Sequence, residues 1–227
     1  VEEAINPSDY YYSQTSLVEI ENTTNKGGGS CWDFNEILKI KQVCVNHDLG
    51  FHLDGARIWN AIAEKEESTL KYGEVFDTIS VCLSKGLGCP IGSVLIGDHE
   101  IMKKAINVRK VFGGNMRQAG YLAAAGLYAL EHNIKRLIED HKKARDIEKC
   151  LYQLPFIKKV EPVETNIIIF ELVNEINEVD FLNILSNHDI KIIGMGGGKL
   201  RIVTHLDYTN DMHIKFMKFL KNVSIRN

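Results

Sequence analysis

Two short stretches constrain this chain more than any others. FHLDGARIWN (residues 51–60) and ISVCLSKGLGCPIG (79–92) each open as an apolar, strand-like run and stop at one charged residue, Asp54 in the first and Lys85 in the second. Each then yields to glycine, which punctuates strands and turns. Strand-like runs that alternate with helical periods require a layered α/β architecture with a mostly parallel sheet.

Further elements follow in the same way. SLVEIE (16–21) alternates as a strand and NTTNKGGGS after it is a turn-rich loop. Asp33, with Glu36 three residues on, predicts a capped amphipathic helix to about His47. Phe51–Asp54 reads as a strand, 56–64 as a helix, and Thr78–Leu83 and Gly92–Ile96 as strands. Helices are expected over 100–111 and, past the flexible FGGN, over one long run from Arg117 to about Leu151. Beyond Pro155 the order is strand (158–161), strand (166–172), helix (179–187), strand (191–193), a glycine-rich loop, strand (200–203) and helix (209–220). The fold class is therefore α/β, with a mostly parallel large domain over residues 1–142 and a small C-terminal α+β domain over 143–227.

The bulk properties exclude several classes of function. Of 227 residues, 44% are hydrophobic and 25% charged, and the net charge is −3, so neither a nucleic-acid nor an anionic-membrane partner is indicated. Lys142–Lys143 and Lys158–Lys159 read as solvated faces. No apolar run approaches the roughly 20 residues of a membrane span. The five cysteines, Cys31, Cys44, Cys82, Cys89 and Cys150, show neither metal-ligand spacing nor an even count, which fits reduced thiols in a cytoplasmic protein. The start, VEEAINPSDYYY, has no initiator Met and is no signal peptide, and reads as that of a processed product or a fragment.

Ligands of open α/β sheets lie beyond the carboxyl ends of the strands, where Asp54 is placed. Arg57, three residues on, can turn back to the same pocket, although Asp54 and Arg57 suit a structural ion pair equally well. Lys85 suits a loop lysine reaching water, or a desolvated amine made nucleophilic by burial. Together, Asp54 and Lys85 could bracket a pyridoxal phosphate ring, which needs a lysine at its aldehyde and an acid at its pyridinium nitrogen. His52 shares the face of Asp54 and is read as packed or hydrogen-bonded, with His205 only suggestive. GMGGGK (194–199) lacks phosphate-loop spacing and is read as a loop.

Three blocks in order, HLDGARIWNA, SVCLSKGLGCPIGSVLIG and RKVFGGNMRQAGYLAAAGLYAL, with the weaker SLVEIENTTNKGGG and LRIVTHLD, resemble the L-threonine aldolases. These are pyridoxal-phosphate lyases of the aspartate-aminotransferase fold, and the resemblance runs from about residue 15 to about 207. It implies that Lys85 is the Schiff-base lysine, that Asp54 keeps the pyridinium nitrogen protonated, and that Arg57 lies near the cofactor's phenolic oxygen. It further implies that Arg201, in R-x-V-T-H, grips the substrate carboxylate and that Arg117 approaches the cofactor phosphate of a neighbouring subunit.

The activity so implied is aldol cleavage of L-threonine or L-allo-threonine to glycine and acetaldehyde, by a dimer or tetramer with shared sites. Another lyase or an aminotransferase using the same cofactor stands beside it. Family members also carry an N-terminal stretch before the segment matching Val1, with a glycine-rich phosphate turn and an aromatic ring, usually histidine, that stacks on the cofactor. The expectation is therefore that the isolated chain binds cofactor poorly or needs a complementary piece, or is a non-catalytic relative.

Overall fold

The structure, a computed structural model, describes residues 1–223. The chain forms two compact units, one from residues 1–23 and 31–134, the other from residues 24–30 and 135 onward.

The first unit is built on a four-stranded sheet of order β1-β2-β3-β4, with β1 Leu17–Glu21, β2 Gly50–Gly55, β3 Thr78–Cys82 and β4 Ser93–Gly97. The first three strands run parallel and β4 is antiparallel to β3. Helix α1 (Phe34–Asn46) starts where Asp33 accepts the Asn35 N–H, a side-chain cap that satisfies one of the open donors of the first turn. Its buried Ile37 and Cys44 meet Phe51 and Leu53 of β2, Ile79 and Val81 of β3, and Ile58 and Ala61 of α2 (Ile58–Lys65). Burying such side chains stabilises the fold by roughly 1.5–3 kcal/mol each for the larger ones.

Period-two alternation sends the core residues of β2 and β3 to one face, and His52, Asp54, Ser80 and Cys82 to the other. His52 Nδ1 lies 2.7 Å from Thr78 Oγ1, so it is hydrogen-bonded as expected. A helix α3 (Thr69–Val75), capped by Ser68, has no counterpart in the sequence reading. Its seven residues, with Gly73 inside, are too few for a helical period to emerge. Helices α4 (His99–Val111) and α5 (Gly120–His132) complete the unit.

The second unit carries an antiparallel sheet of order β5-β6-β8-β7, from β5 Ile157–Val160, β6 Ile167–Leu172, β7 Ile193–Gly196 and β8 Lys199–Val203. Helices α6 (Leu137–Leu151), α7 (Glu178–Ser186) and α8 (Asn210–Asn222) pack on it through Ile147, Leu151, Phe181, Phe216 and Leu220, against Ile168, Phe170 and Leu200. Residues 24–30 belong to this unit: Thr165 Oγ1 donates to the Gly29 carbonyl at 2.6 Å. Gly29 has φ +75°, and a Cβ there would stand 2.6 Å from Thr165 Oγ1, so glycine is required.

Three readings change. The long helix over 117–151 is two helices, α5 and α6, because Asn133 ends the first and donates to the Leu87 carbonyl at 2.7 Å. Arg136 then opens the second, paired with Asp140 through two hydrogen bonds of 2.7 and 3.0 Å. GMGGGK is not a loop: Ile193–Gly196 pairs with β8, and only Gly197 and Gly198, both at positive φ, make the turn. Lys143 is not merely solvated, since its Nζ donates to the Tyr208 carbonyl at 2.5 Å.

Candidate active site

Because β1, β2 and β3 run parallel, their carboxyl ends share one edge, and the register sets Glu21, Asp54 and Ser80 in a row across it. Asp54 Oδ1 accepts the Ala56 N–H at 2.9 Å, which fixes the Asp-Gly turn and does not engage the second carboxylate oxygen. Gly55 follows by necessity, because a Cβ there would stand 2.6 Å from the Ser80 carbonyl. Arg57 precedes α2 at its N-terminal end and its Nη1 lies 3.5 Å from Glu21 Oε1. The Arg57 side chain is only 12% exposed, so this pair anchors the helix start to the end of β1.

Lys85 stands three residues past the end of β3, in a loop tied by Gly88 N–H to the Lys85 carbonyl (2.9 Å) and Cys89 N–H to the Leu83 carbonyl (3.1 Å). Its Nζ donates to Cys82 Sγ at 3.2 Å. The side chain is exposed, so burial by the described residues does not desolvate this amine. Trp59 Nε1 donates to the Cys82 carbonyl at 3.2 Å and holds the strand end from which the loop departs.

Arg117 is exposed, in the segment that joins α4 to α5. That segment's glycines serve its turn: Gly113 has φ +74°, and Gly114 N–H donates to the Arg109 carbonyl at 2.8 Å. Arg201 belongs to the second unit, on β8 opposite Ile169 of β6 and Ile193 of β7. With Lys191, His205, Tyr208 and Lys215 it lines a cleft of about 680 Å³ in that unit. Burial pushes the Tyr208 phenol well above the usual tyrosine range.

The structure thus delivers Asp54, Arg57 and Lys85 to one sheet edge. The sequence reading did not single out Glu21, although its signal was present: an acidic residue ending the strand beside β2. The donor set suits pyridoxal phosphate, with a carboxylate for a pyridinium N–H and an amine for an aldehyde at neighbouring strand ends. The same edge has spare hydrogen-bonding capacity. Asn22 donates its N–H to the Asp54 carbonyl at 3.0 Å. Its Oδ1 and Thr23 Oγ1 are buried without a hydrogen-bond partner among the described residues.

Residues 1–175 match the beta-eliminating lyase family. The chain belongs to that family. Beta-eliminating lyases and threonine aldolases of this fold use pyridoxal phosphate as their cofactor. Over 207 residues the chain is 37% identical to low-specificity L-threonine aldolase 1 of Arabidopsis thaliana, covering 89% of this chain and 58% of that protein. It is 35% identical to the low specificity L-threonine aldolase of Escherichia coli K12, covering 91% and 60%. A solved structure of Leishmania major threonine aldolase superposes with a TM-score of 0.78 at 22% identity, covering 94% of this chain and 62% of that one.

A histidinol-phosphate aminotransferase of Clostridium acetobutylicum shares the fold with a TM-score of 0.66 at 18% identity, so the fold by itself does not select the reaction. The chain spans about 58–60% of the length of these threonine aldolase relatives. Among the described residues, no helix is long and apolar enough to cross a membrane, and none of the His, Cys, Asp or Glu side chains cluster to hold a metal.

Proposed function

We propose that this lyase-family protein cleaves L-threonine and L-allo-threonine to glycine and acetaldehyde with pyridoxal phosphate held on Lys85. The observation that carries the proposal is the delivery of Asp54 and Lys85 to one edge by parallel strands. When bound, the cofactor supplies an electron sink for the pair left as the Cα–Cβ bond breaks. Lys85 would hold the cofactor through its amine, at the cofactor's aldehyde. Asp54 accepts the pyridinium N–H and so keeps that nitrogen positive. Arg57, steadied by Glu21, would hold the phenolic-oxygen side of the cofactor. Arg201 would grip the substrate carboxylate, a role for which the planar fork of its guanidinium is suited.

The division into a cofactor-binding part (1–142) and a small domain (143–227) belongs to the same proposal, as does a cytoplasmic location, which five free cysteines support. So does a homo-oligomer, dimer or tetramer, with Arg117 reaching a neighbouring subunit's phosphate. Its support is the apolar surface beside Arg117: Val111, Phe112 and Tyr121 are 83%, 84% and 92% exposed.

The test combines purified protein, added pyridoxal phosphate and each threonine diastereomer. Expected are acetaldehyde and glycine in equal amounts, and a visible absorbance band that borohydride converts into a stable adduct on Lys85. Ammonia and a keto acid in their place overturn the aldolase reading, and an adduct elsewhere overturns the assignment of Lys85.

A further inference from the structure

Cys82 and Lys85 put two nucleophiles in contact, Sγ and Nζ 3.2 Å apart, at the strand end to which the cofactor lysine is assigned. The backbone beneath them is fixed on both sides. Trp59 holds the Cys82 carbonyl and the Leu83 N–H donates to the Gly92 carbonyl at 3.0 Å, so the backbone that carries the sulfur is held where the loop departs. The other cysteines differ in environment. Cys44, Cys89 and Cys150 are buried, and burial pushes each thiol up, away from the reactive thiolate. Cys31 and Cys82 are partly exposed. Of these, Cys82 has a lysine amine within hydrogen-bonding distance, on an unbranched stem that can swing closer.

We propose that the Cys82–Lys85 pair is an oxidative modification site at which peroxide links sulfur to nitrogen and removes the lysine amine from service. Peroxide oxidises the Cys82 thiol by two electrons to a sulfenic acid and is itself reduced to water. Lys85, after releasing its ammonium proton to solvent, attacks the sulfenic sulfur through the Nζ lone pair. The S–O bond breaks, water leaves, and an S–N bond remains. The linked chain is two hydrogens lighter than the reduced one. A thiol reductant reverses the link by attacking its sulfur and returning the amine.

The consequence for catalysis rests on the function proposed above: a linked Lys85 cannot hold the cofactor's aldehyde, and a loaded Lys85 cannot be linked. Oxidation then switches off only enzyme that lacks cofactor.

The experiment treats the full protein, free of cofactor, with a small excess of hydrogen peroxide and maps its peptides by mass spectrometry. A peptide joining Cys82 to Lys85, lighter by two hydrogens, is expected; it is absent in both Cys82→Ser and Lys85→Arg and lost on adding dithiothreitol. Sulfinic acid on Cys82 without any link, or a disulfide from Cys82 to Cys31, overturns the proposal. Prior loading with pyridoxal phosphate is expected to reduce the link at least tenfold. Because the link is read without cofactor, failure of the aldolase assignment and failure of this one appear in separate measurements. Cys82→Ser, if it binds cofactor with the same absorbance as the parent, shows that an absent link is not a folding defect.

Discussion

Asp54 commits one carboxylate oxygen to its own turn, so the role proposed for it falls to the other oxygen, a different atom. Asp54→Ala therefore tests both. Stopped assays are expected to show kcat falling about 10²–10³-fold, as when a preorganised electrostatic partner is removed, with a much smaller change in KM. An unchanged kcat would remove Asp54 from the site. His213 supplies a residue-scale test in the second unit. Burial lowers its pKa, Lys143 adds to that, and Asp146 opposes it. Its folded pKa lies below the unfolded value of about 6.5, so its neutral form suits the fold and stability is lost as pH drops through that value and on toward the folded one. Urea midpoints at pH 7.5 and 5.5 are expected to separate in the parent protein and to separate less in His213→Gln.

At the scale of elements, what the sequence exposed and what it hid follow from where the forces lie. The strand ends carrying Asp54 and Lys85 were legible because a buried strand that stops at a charge is visible in residue order alone. The break between α5 and α6 was not, because HNIKR contains neither glycine nor proline. Asn133 makes that break with a hydrogen bond to residue 87, a partner 46 positions away. The β7–β8 hairpin was hidden for a related reason: four of its residues are glycines, which have no side-chain period to read. The exposure of Lys85 also lay beyond the sequence, since burial is a property of neighbours. The start of α6 offers a prediction. Asp140 is fully buried and Arg136 grips both of its oxygens. Arg136→Met strands a buried carboxylate and is expected to cost about 3 kcal/mol, the lower end for such pairs because Arg136 keeps some contact with water. Chemical denaturation measures it, and Asp140→Asn in the Arg136→Met background should recover part of the loss.

For the molecule as a whole, β4 is the outlying fact. It is an edge strand by pairing, yet Val94, Leu95 and Ile96 are each 44–45% exposed, and the strand carries no charge and no proline to discourage further pairing. An apolar strand of this kind belongs inside a sheet. The 227 residues alone are therefore expected to self-associate. Leu95→Lys should lower light scattering at equal concentration, whereas the same change at exposed Leu70 on α3 should not. The second unit raises a matter of timing. Gly29 and the hydroxyl of Thr165 that binds it are 136 residues apart. At a synthesis rate of ~5–20 residues per second, residues 24–30 wait roughly 7–27 s for the strand they pack against. The ribosome makes the first piece of that unit before any of its sheet, so the unit cannot close until residue 165 has been synthesised.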